Sequence, residues 1–208
     1  MKVIGISGKA GSGKDTVYKL IKSQLNEKGY NVTQLSFASK LKDTCSLLFG
    51  FDRNKLDHDF EYKESMTLPD GSVDPACGLL NMSRRTIMQR LGTEAIRQNF
   101  HPDTWVITLK LAILNGEYDE YDYGFITDCR FINEIEFVKS LDGKLIKVVR
   151  VGPIETLTTE TNHLSESEWL HYTDWDFIIH NTIIDGVNTE QNLKNLDKKI
   201  RDVIGDDL

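Results

Sequence analysis

Cysteine is scarce in this 208-residue chain: Cys45, Cys77 and Cys129 are its three, far apart and with no C-x-x-C pair. A disulfide framework or a structural zinc site needs more thiols at closer spacing. The three therefore read as reduced thiols of a cytosol-like compartment, and the expected location is cytoplasmic. No apolar stretch approaches the roughly 20 residues that cross a bilayer, so no membrane partner is expected. The apolar start, Met1 to Ser7, is too short for the hydrophobic region of a signal peptide and reads as a buried strand. Positive charge is not in surplus either: 25 Lys and Arg against 32 Asp and Glu leave a net charge of −7. That balance argues against wrapping a polymeric nucleic acid and suits a small phosphorylated metabolite held in a local basic pocket. Internal repeats and low-complexity segments are absent.

What is present is an ordinary globular composition, 39% apolar and 27% charged, enough for one domain with a sizeable core. Val3 to Ser7 is an apolar run stopped by Gly8, suited to a central parallel strand. A helix should run from Lys14 to about Lys28, with Val17, Leu20, Ile21 and Leu25 on one face. A strand over 32–37 and a helix over 38–49, burying Leu41, Cys45 and Leu48, come next. Residues 51–82 are polar with a Pro69-Asp70-Gly71 turn and read as an insertion or flap. A helical stretch from Arg84 to about Asn99 is interrupted at Gly92, and Asp103 caps a helix carrying Trp105, Val106, Leu109 and Ile113. Strands at 124–127, 145–149 and 177–179 alternate with helices at 132–141 and 188–204. The polar stretch 150–172 reads as a lid-like loop. This alternation predicts an α/β fold, a parallel sheet of about five strands flanked by helices. Its ligands bind at the carboxyl ends of the strands, where Gly8 and Asp128 both fall.

The most specific pattern is Gly8-Lys-Ala-Gly-Ser-Gly-Lys14-Asp-Thr16, a G-x-x-x-x-G-K phosphate loop. Its glycines permit positive φ and keep side chains away from a ligand. Successive N–H groups can then form an anion nest backed by a helix N-terminus. Lys14 supplies the mobile cation that follows the β- and γ-phosphates of ATP. The place after the lysine, usually Ser or Thr for Mg²⁺, is Asp15 here, and the hydroxyl comes one residue later at Thr16. That order is closer to small nucleotide kinases than to GTPases.

Asp128-Cys-Arg130, at the end of the third strand, offers a carboxylate to hold Mg²⁺ or orient an acceptor, and a guanidinium for charge on the transferred phosphoryl. The alternative there is an N-capping Asp with an Arg130–Glu134 pair at i,i+4 spacing. Ser83 to Thr93 is basic, and an arginine on that helix can grip an acceptor phosphate bidentately or merely face solvent. Trp105 can stack on a base or serve the core, and Lys42 can reach an acceptor phosphate or lie on the surface. His163, Ser165 and Glu166 are too sparse for a metal site or a triad.

In order and approximate spacing the chain resembles the bacteriophage deoxynucleoside monophosphate kinases, a branch of the P-loop nucleotide kinases. The resemblance rests on G-K-A-G-S-G-K-D-T at 8–16, F-A-S-K-L-K at 37–42, R-R-T-I-M-Q-R-L-G-T at 84–93, the Trp at 105, T-D-C-R-F-I-N-E at 127–134 and H-L-S-E at 163–166. It implies a P-loop kinase fold with ATP as donor, Mg²⁺, and a deoxynucleoside 5′-monophosphate as acceptor. It places the acceptor on Leu41, Lys42, Arg85, Gly92, Thr93, Trp105 and Asp128. The ATP site falls on Gly11, Ser12, Gly13, Lys14, Asp15 and Thr16, with Lys14, Arg130 and Asp128 catalytic. Thr16 and Asp128 are the metal candidates, Asp128 directly or through water. The family loop can carry a basic residue where Ala10 stands, the segment 51–82 is not matched, and Lys63 is a further phosphate contact to consider. Base preference and a homodimer stay open. A kinase of phosphomevalonate or of a modified DNA base, and a nucleotide-binding module without transfer, are the competing readings.

Overall fold

The computed structural model describes residues 1–57, 82–152, 168–184 and 186–205. Five strands form one sheet: β1 (Lys2–Ser7), β2 (Val32–Leu35), β3 (Tyr123–Ile126), β4 (Lys144–Val151) and β5 (Phe177–Thr182). Their order is β2-β3-β1-β4-β5 and every pairing is parallel. The α/β fold with a five-stranded parallel sheet is therefore present as expected. Parallel strands covered on both faces read as continuous apolar runs, and β1 and β3 do. Val3 to Ser7 and Tyr123 to Ile126 are buried throughout. At Gly5 a Cβ would meet Leu145 Cδ2 at 2.9 Å, so the centre of the sheet leaves no room for a side chain there.

Helix α1 (Lys14–Glu27) buries Val17, Tyr18, Ile21 and Leu25, the i, i+4, i+8 face its apolar spacing predicts. Together with the last helix, α6 (Thr189–Ile204), it covers one side of the sheet. Ile21, Leu25, Leu196 and Ile200 pack there against Ile4, Ile6, Phe125, Ile146 and Ile179. Each such burial stabilises by about 1.5–3 kcal/mol. Asn188 caps α6, its side chain accepting from Gln191 N at 2.8 Å. Helix α5 (Ile132–Ser140) buries Ile135, Phe137 and Val138 and contacts β1 and β4.

The chain divides into two compact units, residues 1–37 with 109–208, and residues 38–108. The sheet, α1, α5 and α6 belong to the first. The second holds α2 (Ser39–Phe49), a short 3-10 turn at Lys55–Asp57, α3 (Arg84–Gln89) and the beginning of α4 (Thr104–Leu114). Its buried residues include Leu41, Cys45, Phe51, Leu56, Ile87, Met88 and Trp105. Leu48, expected inside, is instead 60% exposed. The Phe49 and Phe51 rings, 5.3 Å apart, pair at the end of α2. Most of the flap expected over 51–82, Lys63 included, lies outside the described residues. So does most of the 150–172 loop, with His163, Ser165 and Glu166.

Residues Arg90–Arg97 continue α3 as a π-helix rather than breaking it at Gly92. The cause is local. A Cβ on Gly92 would sit 2.5 Å from Leu41 Cδ2. The Gly92 carbonyl accepts from Trp105 Nε1 at 3.0 Å. A wider helical turn carries the chain past this contact while keeping its backbone paired.

Candidate active site

In the first unit, parallel pairing puts the carboxyl ends of all strands on one edge, and β1 lies between β3 and β4. The glycine loop leaves β1 there, where the strand order reverses, the usual place for a ligand in such sheets. Gly11 and Gly13 have φ of 73° and 93°, in the left-handed region that favours glycine. A Cβ at Gly8 would come within 2.6 Å of Val148 O and 2.7 Å of Ser12 Oγ. One on Gly13 would collide with the amide nitrogen of Asn181.

Four carbonyls of the loop are held by side-chain donors. Lys14 Nζ donates to Gly8 O at 2.7 Å and to Lys9 O at 3.1 Å. Arg150 Nη1 donates to Gly11 O at 3.0 Å, and Asn181 Nδ2 to Ser12 O at 2.9 Å. The backbone N–H of Ser12 returns to Lys9 O at 3.1 Å and closes the turn. Ser12 Oγ is buried with no hydrogen-bond partner. A buried hydroxyl without a partner is costly and marks where a polar ligand atom fits. Asp15 is exposed and Thr16 half-buried at the start of α1.

The Asp128 segment is fixed to the same strand ends. Ser7 Oγ donates to Cys129 O at 2.8 Å in the core. Gln34 Nε2 donates to Thr127 Oγ1 at 2.7 Å. The Asp128 carboxylate accepts from Ser36 Oγ at 2.7 Å and from Phe37 N at 3.2 Å. Buried Glu134 accepts from Arg130 N at 2.7 Å and Phe131 N at 3.1 Å, capping the N–H groups at the entry to α5. The expected Arg130–Glu134 relation thus includes a bond to the Arg130 main chain. Burial, then the Glu134 and Asp128 carboxylates, push the Cys129 thiol well above its usual pKa, against the opposing Ile6 backbone bond and the Lys14 charge. Cys129 therefore remains a neutral thiol packed beneath the site.

In the second unit, Leu41, Gly92 and Trp105 converge. Trp105 is 6% exposed, with its indole N–H on Gly92 and Leu41 packed against the same glycine. Thr93 is buried beside them, and Lys42 and Arg85 are half-buried. The basic stretch does not form one solvated face: Arg84 is 2% exposed and Arg85 half-buried, while Arg90 is exposed. Beyond it, buried Arg97 donates to Pro102 O at 3.0 Å.

The deoxynucleotide monophosphate kinase family model matches residues 76–194, more than half of the chain. The chain belongs to the deoxynucleotide monophosphate kinase family. A deoxynucleoside-5′-monophosphate kinase of Escherichia phage T5 is 29% identical, over 79% of this chain and 84% of its own. A putative deoxynucleotide monophosphate kinase of Acanthamoeba polyphaga mimivirus is 27% identical, over 87% and 89%. The deoxynucleotide monophosphate kinase of Enterobacteria phage T4 is 32% identical over 48% of this chain and 39% of its own.

For a member of this family, two loop contacts escaped the sequence reading, Arg150 and Asn181. Of the two, Asn181 carried a weak signal and Arg150 none. Asn181 is a buried polar residue in an otherwise alternating strand, at the edge where ligands bind. Half-buried Glu168, in the 3-10 turn Glu168–His171, makes a separate contact: its carboxylate accepts from Ile132 N at 3.4 Å, at the N-terminus of α5. Among the described residues no three His, Cys, Asp or Glu side chains gather as a metal cage.

Proposed function

We propose that the protein transfers the γ-phosphoryl of ATP to deoxynucleoside 5′-monophosphates, giving ADP and the diphosphates. The observation that carries this reading is the glycine loop, its carbonyls held by Lys14, Arg150 and Asn181, beside Asp128 in a chain of this family. The loop residues Gly11 to Thr16 take the donor phosphates. Lys14 exchanges its carbonyl partners for β- and γ-phosphate oxygens, an exchange its flexible stem allows.

The acceptor phosphate is already nucleophilic near neutral pH, since its second pKa is about 6. The chain therefore supplies alignment and charge rather than a strong base. Lys42 and Arg85 grip the acceptor phosphate, Leu41, Gly92, Thr93 and Trp105 hold the nucleoside, and Asp128 orients it. Arg130 neutralises charge on the transferred group. Mg²⁺, when bound, lowers the charge of the phosphates, and Thr16 and Asp128 are the residues that would hold it. Both oxygens of Asp128 already accept hydrogen bonds, which suits contact through water.

The test is steady-state turnover of each of the four common deoxynucleoside monophosphates with ATP. At least one is phosphorylated, Lys14→Ala and Arg130→Ala abolish the rate, and Arg85→Ala mainly raises the acceptor KM. Turnover of none of the four sinks the proposal. A wild-type rate in Arg130→Ala removes that arginine from the reaction.

A further inference from the structure

We infer that Arg150 and Asn181 are positioning residues of the donor site, a cross-strand pair that sets the direction of the loop amides. The inference rests on the reading that this loop takes the phosphates of ATP. In the β4–β5 register Arg150 is the direct partner of Asn181, near the carboxyl end of the sheet. From there the two side chains hold consecutive carbonyls, Gly11 O at 3.0 Å and Ser12 O at 2.9 Å.

A trans peptide is planar, with its C=O and N–H pointing in opposite directions. Holding Ser12 O on the Asn181 side turns the N–H of Gly13 the other way. Holding Gly11 O turns the N–H of Ser12 toward Lys9 O, the bond that closes the loop. Lys14 holds the other two carbonyls, but Lys14 is also the residue that moves to the phosphates. Once it does, Arg150 and Asn181 are, among the described residues, the side chains left holding loop carbonyls, and the nest keeps its shape through them.

Asn181 is buried at 8% exposure, and its amide nitrogen occupies the space a Gly13 side chain would need. Only a donor serves there: a carboxylate in its place would face the Ser12 carbonyl oxygen with like charge. Arg150 is exposed, so its removal leaves the core untouched.

The experiment measures kcat, both KM values, ATP affinity by calorimetry and Tm for Asn181→Leu, Arg150→Met and Arg150→Lys. Asn181→Leu keeps the size and loses the donor. It raises the ATP KM about tenfold and leaves the acceptor KM within about twofold, as loss of one buried hydrogen bond implies. Arg150→Met raises the ATP KM about fivefold at unchanged Tm, and Arg150→Lys recovers most of it. ATP binding that depends on Lys14 yet ignores both Asn181→Leu and Arg150→Met overturns this inference alone. An equal rise in both KM values with a lowered Tm also overturns it, by making the pair merely structural. ATP binding equal in wild type and Lys14→Ala overturns the donor reading, and this inference with it.

Discussion

At Gly13 the chain has no freedom to be anything else. Its φ of 93° lies in the left-handed region, and any Cβ would collide with the Asn181 amide. An L-residue there costs about 1–2 kcal/mol in the backbone alone. The collision must also displace Asn181, so Gly13→Ala lowers Tm by several degrees. It weakens ATP more than Asn181→Leu does, because it disturbs the loop and its support together. Thermal melts and ATP titrations of the two single variants and the double variant check this. Because both changes act on one contact, the double variant should be less than additive. Asp128 shows the opposite situation, a residue whose surroundings the sequence could not give. The Thr127-Asp128 motif is readable, but its bonds to Ser36 and Phe37 join positions more than 90 residues apart.

Among the elements, the strands and the long helices were legible because their apolar periods are strong. Helix α1, expected over about 14–28, spans Lys14–Glu27, and α6, expected over 188–204, spans Thr189–Ile204. The stretch after α3 was only half legible. A glycine at position 92 announces a departure from the α-helix, but not whether the chain breaks or widens. That choice is made by Leu41 and Trp105, distant in sequence and both pressed against Gly92. Gly92→Ala sets two effects against each other. Alanine favours a helix by about 1 kcal/mol, while forcing Leu41 aside costs about 1–3 kcal/mol. The net change in stability is thus small, a shift of a few degrees in Tm. Leu41 is still displaced, so the acceptor KM rises several-fold while the ATP KM is kept. A Gly92→Ala enzyme with an unchanged acceptor KM would remove Leu41 and Gly92 from the acceptor site.

At the scale of the whole molecule, Asp176 is the carboxylate among the described residues whose lowered pKa links stability to pH. Asp176 precedes β5 and accepts from Lys139 at 2.8 Å, Lys144 at 3.2 Å and Leu145 N at 2.9 Å. These bonds fasten the end of α5, the start of β4 and the approach to β5 to one another. Burial alone would raise the Asp176 carboxyl, but the bonds from Lys139, Leu145 N and Lys144 outweigh it and leave the pKa below its ordinary value. The hydrogen bond to Asp176 is the first cause that raises Lys139. A depressed carboxylate contributes stability above its unfolded pKa, about 4, and loses it as pH falls through the folded value. A raised lysine contributes below its unfolded pKa, about 10.4, and loses it as pH rises through the folded value. Asp176→Asn keeps the shape and removes the charge, costing about 1.5–3 kcal/mol at neutral pH. Lys139 and Lys144 are 35% and 49% exposed in their side chains, so solvent screening puts the cost at the lower end of that range. Denaturant unfolding from pH 3 to 11 should show the two proteins separated by a constant gap between about pH 5 and pH 9. The gap narrows below about pH 4 and again above about pH 10.4. A gap independent of pH would assign the effect of the substitution to packing rather than to the charge on Asp176.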